Sequence, residues 1–189
     1  MKVIIGCRNR FVLCPFGENV KDDTLVNHLT YVKIGIGRSY PLGGIIMSYH
    51  HIVAAYDGSK ASNKALEQAI KLVESNPGSR LSVAHVVTRP SYAIAGYGLI
   101  LPEGYEEKIK EYQDSLVQQA QDKIANLAYA KVVILGGTPS SAILAYAKEN
   151  NCDLIVIGNR GLGPIREWML GSVSHHVAQQ AQVPVLIVK

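Results

Sequence analysis

The chain has 189 residues, room for one domain and too few for two of ordinary size. It is 48% hydrophobic and 18% charged, so it can bury a core, and its formal net charge of +4 comes from lysines and arginines scattered without a basic run. That balance speaks against nucleic acid as the main partner, and no apolar stretch approaches the ~20 residues of a membrane span.

Residues 1–46 hold short apolar pieces, "KVIIG", "RFVL" and "YVKIGIG", with no sustained period. "IIGC" has the look of a lipoprotein cleavage box, but Val3, Ile4 and Ile5 fall far short of the roughly 7–15 apolar residues a signal peptide needs. The segment is expected to be an N-terminal extension, poorly ordered or loosely docked, adding at most a small strand. "GGIIM" (43–47) must be encoded GGN GGN AUH AUH AUG, which resembles a bacterial ribosome-binding site just ahead of a start codon. The expectation is a natural start at Met47, with 1–46 a translated leader and 47–189 the domain. Cys7, Cys14 and Cys152 have no CxxC spacing, and so sparse and odd a set suits a reducing cytoplasm.

From residue 51 the pattern is regular. "HIVAAYD" (51–57) reads as a buried strand, and 59–75 as a helix with Ala61, Ala65, Leu66, Ala69, Ile70 and Val73 on one face, Ser59 as N-cap and "NPG" as stop. "RLSVAHVV" (80–87) is a second strand. A connection with Pro90, Gly96, Gly98 and Pro102 leads to a long helix over 103–128. A third strand (131–137) and helix (139–151) follow, with Pro139 tolerated in the first turn. A fourth strand (152–158), in which Cys152 is a small buried residue, is followed by a glycine-rich loop, a fourth helix (171–182) and a last strand (184–189). Strands that are continuous Val/Ile/Leu runs and alternate with helices fit a parallel sheet covered on both faces. The class is α/β, an open doubly wound sheet.

In such a sheet ligands bind beyond the carboxyl ends of the strands, where the strand order reverses. With the first strand central, Asp57-Gly58-Ser59 and Gly158 flank one crevice. The loop "GNRGLGPIREWMLGS" (158–172) returns to a helix whose start offers unpaired N–H groups and partial positive charge, which suits phosphate. Glycines let backbone approach closely, and Ser172 adds a hydroxyl. GxxxxGK[ST] is absent, and "GLGPIR" lacks the third glycine of the dinucleotide fingerprint.

Gly158-x-x-Gly161, nine residues and then Gly171-Ser172 resembles the G-x2-G-x9-G-[ST] nucleotide loop of the universal stress protein family. "DGS" after the first strand, "AHVV", "GGTP", "LGSVSHHV" and "VPVLIVK" match as well, and the resemblance covers 48–189. It implies a Rossmann-like, five-stranded parallel sheet in the order 3-2-1-4-5 and a cytoplasmic homodimer that binds ATP, or ADP or AMP, in a stress response. Carried over by position, Asp57 would lie near ribose and phosphates, through Mg²⁺, and Val86 would offer its backbone to adenine. Ala55 and Gly137 would shape the base and ribose walls. Gly158, Asn159, Arg160 and Gly161 would wrap the phosphates, and Gly171, Ser172, Val173 and Ser174 would close over them. The last strand, an apolar edge that needs cover, would pair with its copy through residues 184–188.

Plainer readings stand beside these. Asp57 also fits a simple Asp-Gly turn, and Arg160 a solvated loop charge. His175 and His176 point about 100° apart on a helix and cannot share a metal. His85 reads as a satisfied core histidine, and Trp168 and Met169 as packing that pins the loop. The connection 89–104 suits a lid, a partner surface or a packed link. Three functions remain open: a nucleotide-binding sensor or switch, a slow Mg²⁺-dependent ATP hydrolase, and a module for an unknown protein partner in which nucleotide is structural. Mass spectrometry of the protein made from its own promoter is expected to find Met47 at the N-terminus; an intact Met1 would remove the leader hypothesis.

Overall fold

The computed structural model describes residues 49–88, 104–160 and 170–189 in full, and the backbone of four strands before them, β1 (Lys2–Cys7), β2 (Arg10–Pro15), β3 (Tyr31–Ile34) and β4 (Arg38–Pro41). "GGIIM", most of the 89–104 connection, Gly161, Trp168 and Met169 lie outside the described residues.

The regular pattern becomes β5 (His51–Ala55), α1 (Lys60–Glu74), β6 (Arg80–Val87), α2 (Tyr105–Ile124), β7 (Ala130–Gly136), α3 (Pro139–Glu149), β8 (Leu154–Gly158), α4 (Ser172–Gln180) and β9 (Val185–Val188). Boundaries shift by a few residues for local reasons. Gly104, left-handed at φ 76°, starts α2 late. α3 stops at an Asn pair in which Asn151 takes φ 51°, a conformation asparagine tolerates better than most residues. Cys152 precedes β8 instead of opening it, its amide donating to the Ala147 carbonyl at 2.8 Å. The Cys152 thiol is buried, and burial pushes its pKa up to about 11, with Asp153 adding to the rise. It is a packing group, not a nucleophile.

β5 lies at the centre, parallel to β6 on one side and to β8 on the other; β7 extends the first side and β9 the second. The five parallel strands therefore run 3-2-1-4-5, as the resemblance implies. β1 pairs antiparallel with β9, from Val3↔Val188 to Gly6↔Val185, and β2 pairs antiparallel with β1. The sheet thus has seven strands, and β3 with β4 forms a separate hairpin.

Alternation along each strand divides the core between the two faces. Ile52, Ala54, Leu154, Val156, Leu186 and Val188 pack with α1 and α2; Val53, Ala55, Ile155, Ile157, Val185 and Ile187 pack with α3 and α4. Ser59 caps α1 as its sequence suggests, its hydroxyl accepting from the Ser62 amide at 3.1 Å.

At the amino ends of the strands a buried polar chain ties three elements. The His51 Nδ1 donates to the Asn150 carbonyl at 3.0 Å, and the Nε2 accepts from the Ser82 hydroxyl at 2.9 Å. Ser82 in turn accepts from the Tyr146 hydroxyl at 2.9 Å. These partners fix the neutral tautomer: the carbonyl needs a donor, and the Ser82 proton needs an acceptor. Burial lowers the His51 pKa from 6.5; the bond to Asn150 opposes this, while Arg80 and Lys131 add to it. The unfolded chain therefore binds the extra proton more readily. The His51 contribution is present above pH 6.5 and is lost as pH falls through the lowered folded value. Urea unfolding between pH 5 and 7 is expected to show stability rising with pH, one proton supplying at most about 1.4 kcal/mol per pH unit. His51→Gln is expected to flatten that slope; equal slopes in the two proteins would count against the network.

Candidate functional site

β5 and β8 are neighbours, but the chain leaves them in opposite directions, β5 toward β6 and β8 toward β9. Their carboxyl ends therefore open on a crevice, and a cleft of about 300 Å³ lies there. Its walls bring together nine of the expected residues: Ala55, Asp57, Val86, Gly158, Arg160, Gly171, Ser172, Val173 and Ser174.

Two do not join them. Gly137 is exposed at the turn between β7 and α3, at φ 111°, its amide donating to the Val87 carbonyl at 3.3 Å. Asn159 stands behind the wall. Its amide donates to the Val188 carbonyl at 2.7 Å, and its own carbonyl accepts from the Gly171 amide at 2.8 Å and the Ser174 hydroxyl at 2.9 Å. The Ser174 hydroxyl, also 3.0 Å from the Gly171 carbonyl, is thus committed to holding the start of α4.

Asp57 serves both the turn and the cleft. Its Oδ1 accepts from the Ser59 amide at 3.0 Å, an Asx turn that sets the start of α1, while the half-buried residue also lines the cleft. Gly158 is required by close approach. A Cβ there would stand 2.7 Å from the Ala61 carbonyl carbon and 2.8 Å from the Ala61 Cβ, so only glycine lets α1 lie against the end of β8.

The electrostatics follow from two helix starts. α4 begins at Gly171 and α3 at Thr138, both without a side-chain cap, and the first turn of each lines the cleft. The first amides of a helix have no partner inside it. At α4 these belong to Ser172, Val173 and Ser174, and they carry the positive end of the helix dipole. Ala84, Ile143, Ile157 and Leu170 give the wall an apolar part, and Asp57, Ser62 and Arg160 add polar groups. The cleft therefore offers donors suited to an anion together with apolar surface suited to a flat group.

Sequence reasoning missed Tyr56, Ser62, Ala84, Ile157, Leu170, Pro139 and Ile143 in this wall. The last two carried a signal: Pro139 opens a helix just beyond a strand's carboxyl end, and Ile143 lies one turn further along the same face. His175 and His176 are exposed on α4. His85 is buried, its Nδ1 donating to the Tyr56 carbonyl at 3.0 Å and its Nε2 making no hydrogen bond, so the core histidine is only half satisfied. Among the described residues no group of three His, Cys, Asp or Glu side chains is placed to hold a metal.

The sequence pattern of the universal stress protein family matches residues 48–189. Universal stress protein YxiE of Bacillus subtilis is 36% identical over 151 residues, covering 75% of this chain and 99% of its own. A universal stress protein of Synechocystis is 35% identical over 158 residues, covering 76% and 99%. Among solved structures, a universal stress protein in complex with cAMP aligns at 27% identity and TM-score 0.56, over 75% of this chain and 98% of that one. One from Archaeoglobus fulgidus in complex with dAMP aligns at 26% and 0.53, over 76% and 100%.

Gly158→Ala is expected to lower stability by about 1–3 kcal/mol, since Ala61 backbone must shift to admit the methyl. Gly136→Ala, where a Cβ meets nothing within 4 Å, is the control and should be nearly neutral. Denaturant midpoints measure both; equal midpoints would show that α1 does not bear on β8.

Proposed function

The chain belongs to the universal stress protein family, and we propose that its cleft binds an adenine nucleotide, ATP foremost and ADP or AMP as further candidates. The observation that carries this is the uncapped start of α4 on the cleft wall, with an apolar wall beside it. Phosphate oxygens accept from the Ser172–Ser174 amides and the Ser172 hydroxyl, Arg160 adds charge, and the base lies toward Ala55, Ala84 and Val86. Similar proteins crystallised with cAMP and dAMP support the same class of ligand.

Mg²⁺ carried by nucleotide phosphates needs only one or two carboxylates from the protein, and Asp57 at the cleft fits that need. Bound there, the ion would neutralise phosphate charge; Asp57 would hold it while keeping the turn into α1. Among the described lining residues Asp57 is the one carboxylate and Arg160 the one fixed cation. Phosphoryl transfer draws on a positioned base together with several charges around the moving group. The reading is therefore a sensor or switch that holds nucleotide, with hydrolysis very slow, acting in the cytoplasm. No described helix is long and apolar enough to cross a membrane. The same reading includes a homodimer in which β9 pairs with β9 of a second copy. In the fold described, β1 occupies that edge, so the dimer forms from chains in which β1 is displaced or absent.

Denaturing the purified full chain and identifying released nucleotide by chromatography and mass spectrometry is expected to yield ATP near one per chain. An empty protein that also fails to bind ATP with Mg²⁺ at millimolar concentration would sink the reading. Asp57→Ala is expected to weaken ATP binding about tenfold, ~1.4 kcal/mol. A fall in turnover far beyond that loss would favour the hydrolase instead.

A further inference from the structure

The geometry points to a second small-molecule site, at the amino ends of β5, β6 and β7, that takes a small carboxylate with a flat apolar body. It lies at the opposite end of the sheet from the nucleotide cleft and does not rest on that reading. His51, Arg80 and Ala130 open their strands there, and a cavity of about 330 Å³ lies among them. That volume is ordinary for a small-ligand pocket.

The lining divides into a saturated floor and an uncommitted rim. His51 and Ser82 are buried, and they bond to each other and to Asn150 and Tyr146. Their polar atoms are spent within the protein. Lys131 stands opposite Ser82 in the β6–β7 register, and Arg80, two residues before Ser82, shares the side of the sheet on which Ser82 meets α3. Both cations are exposed, and among the described residues neither side chain makes a hydrogen bond or ion pair. Both still bear on the His51 ring, where their charge helps to keep the imidazole neutral. Like charges held around one cavity repel, and an anion between them relieves that repulsion.

The charge balance selects the anion. The Asp153 carboxylate accepts from the His50 and His51 amides at 2.7 and 3.0 Å, and it too acts on the His51 ring. α3 ends at Asn150, on the cavity wall, and brings the negative end of its dipole. Set against two cations, these leave room for about one negative charge, so a monoanion fits and a polyphosphate does not. The Arg80 guanidinium takes a carboxylate in a two-point fork, with Lys131 as a second, point-like charge. Tyr129, 63% exposed, lines the same cavity and offers a ring to the body of the ligand.

The test titrates the full chain, Met1–Lys189, with benzoate, acetate and inorganic phosphate, read by backbone amide NMR spectra and calorimetry. Benzoate is expected to move the amides of Arg80, Ser82 and Lys131 and to leave those of Gly158 and Gly171 in place. Acetate and phosphate should both bind more weakly. Arg80→Gln and Lys131→Gln, each at an exposed side chain, are expected to weaken benzoate at least about tenfold, whereas Lys71→Gln on α1 leaves it unchanged. Benzoate that at millimolar concentration moves none of the three amides, or moves only the cleft glycines, would overturn the site. So would equal affinity in the unaltered chain and both rim variants, or an equal loss with Lys71→Gln. Phosphate bound more tightly than benzoate would overturn the monocarboxylate as ligand, and acetate bound as tightly would overturn the flat body.

Discussion

The backbone amide and carbonyl of Asn159 join the parts on which the rest of this structure depends. Its amide holds the end of β9, and its carbonyl holds the start of α4 through Gly171 and Ser174. The residue that follows β8, the first turn of α4 and the last residue of β9 are thereby fixed to one another by three hydrogen bonds. An amide and carbonyl at the end of a strand must find partners, and here the partners are the elements that shape the cleft. The side chain of Asn159 is incidental to this. What matters is a backbone that has just passed Gly158, where contact with Ala61 leaves no room for a Cβ.

The cleft is polarised by what its helices lack. α1 is capped by Ser59, whose hydroxyl takes the Ser62 amide. α3 and α4 begin at Thr138 and Gly171 with no side chain turned back to them. Two helix starts left open beside apolar lining make a cleft with both electrostatic and dispersive surface and few ionisable groups among the described residues. Most of the donors the cleft offers are backbone amides, whose positions depend on the fold more than on any one side chain.

Much of this was legible in the sequence because it is local. Continuous Val/Ile/Leu runs between amphipathic segments gave the parallel sheet, and the Ser59 cap lay one residue before its helix. The glycine spacing pointed to Gly158 and Gly171. What the sequence did not reveal is long-range. Asn159 sits in the loop motif, yet its backbone bonds to β9 and α4, which no spacing reveals. Gly137, at φ 111°, is exposed at the turn into α3, outside the cleft lining. Pro139 and Ile143 reach the cleft only because α3 packs across it. Of the N-terminal strands the sequence suggested no more than one small one, because "KVIIGC" and "RFVLCP" are joined by Arg8-Asn9 and not by the Asn-Gly signature of a tight hairpin. Their place beside β9 is set by pairing across the whole length of the chain.

β1 pairs with β9 from Val3↔Val188 to Gly6↔Val185, so residues near the two ends of the chain lie side by side in one ladder. Each parallel neighbour pair of β5, β6 and β7 closes a short crossover, whereas this pairing closes a loop over nearly the whole sequence, and the entropy of closing a loop grows only slowly with its length. The ladder therefore depends on both ends of the polypeptide being in place at once, and loosening either end releases the other.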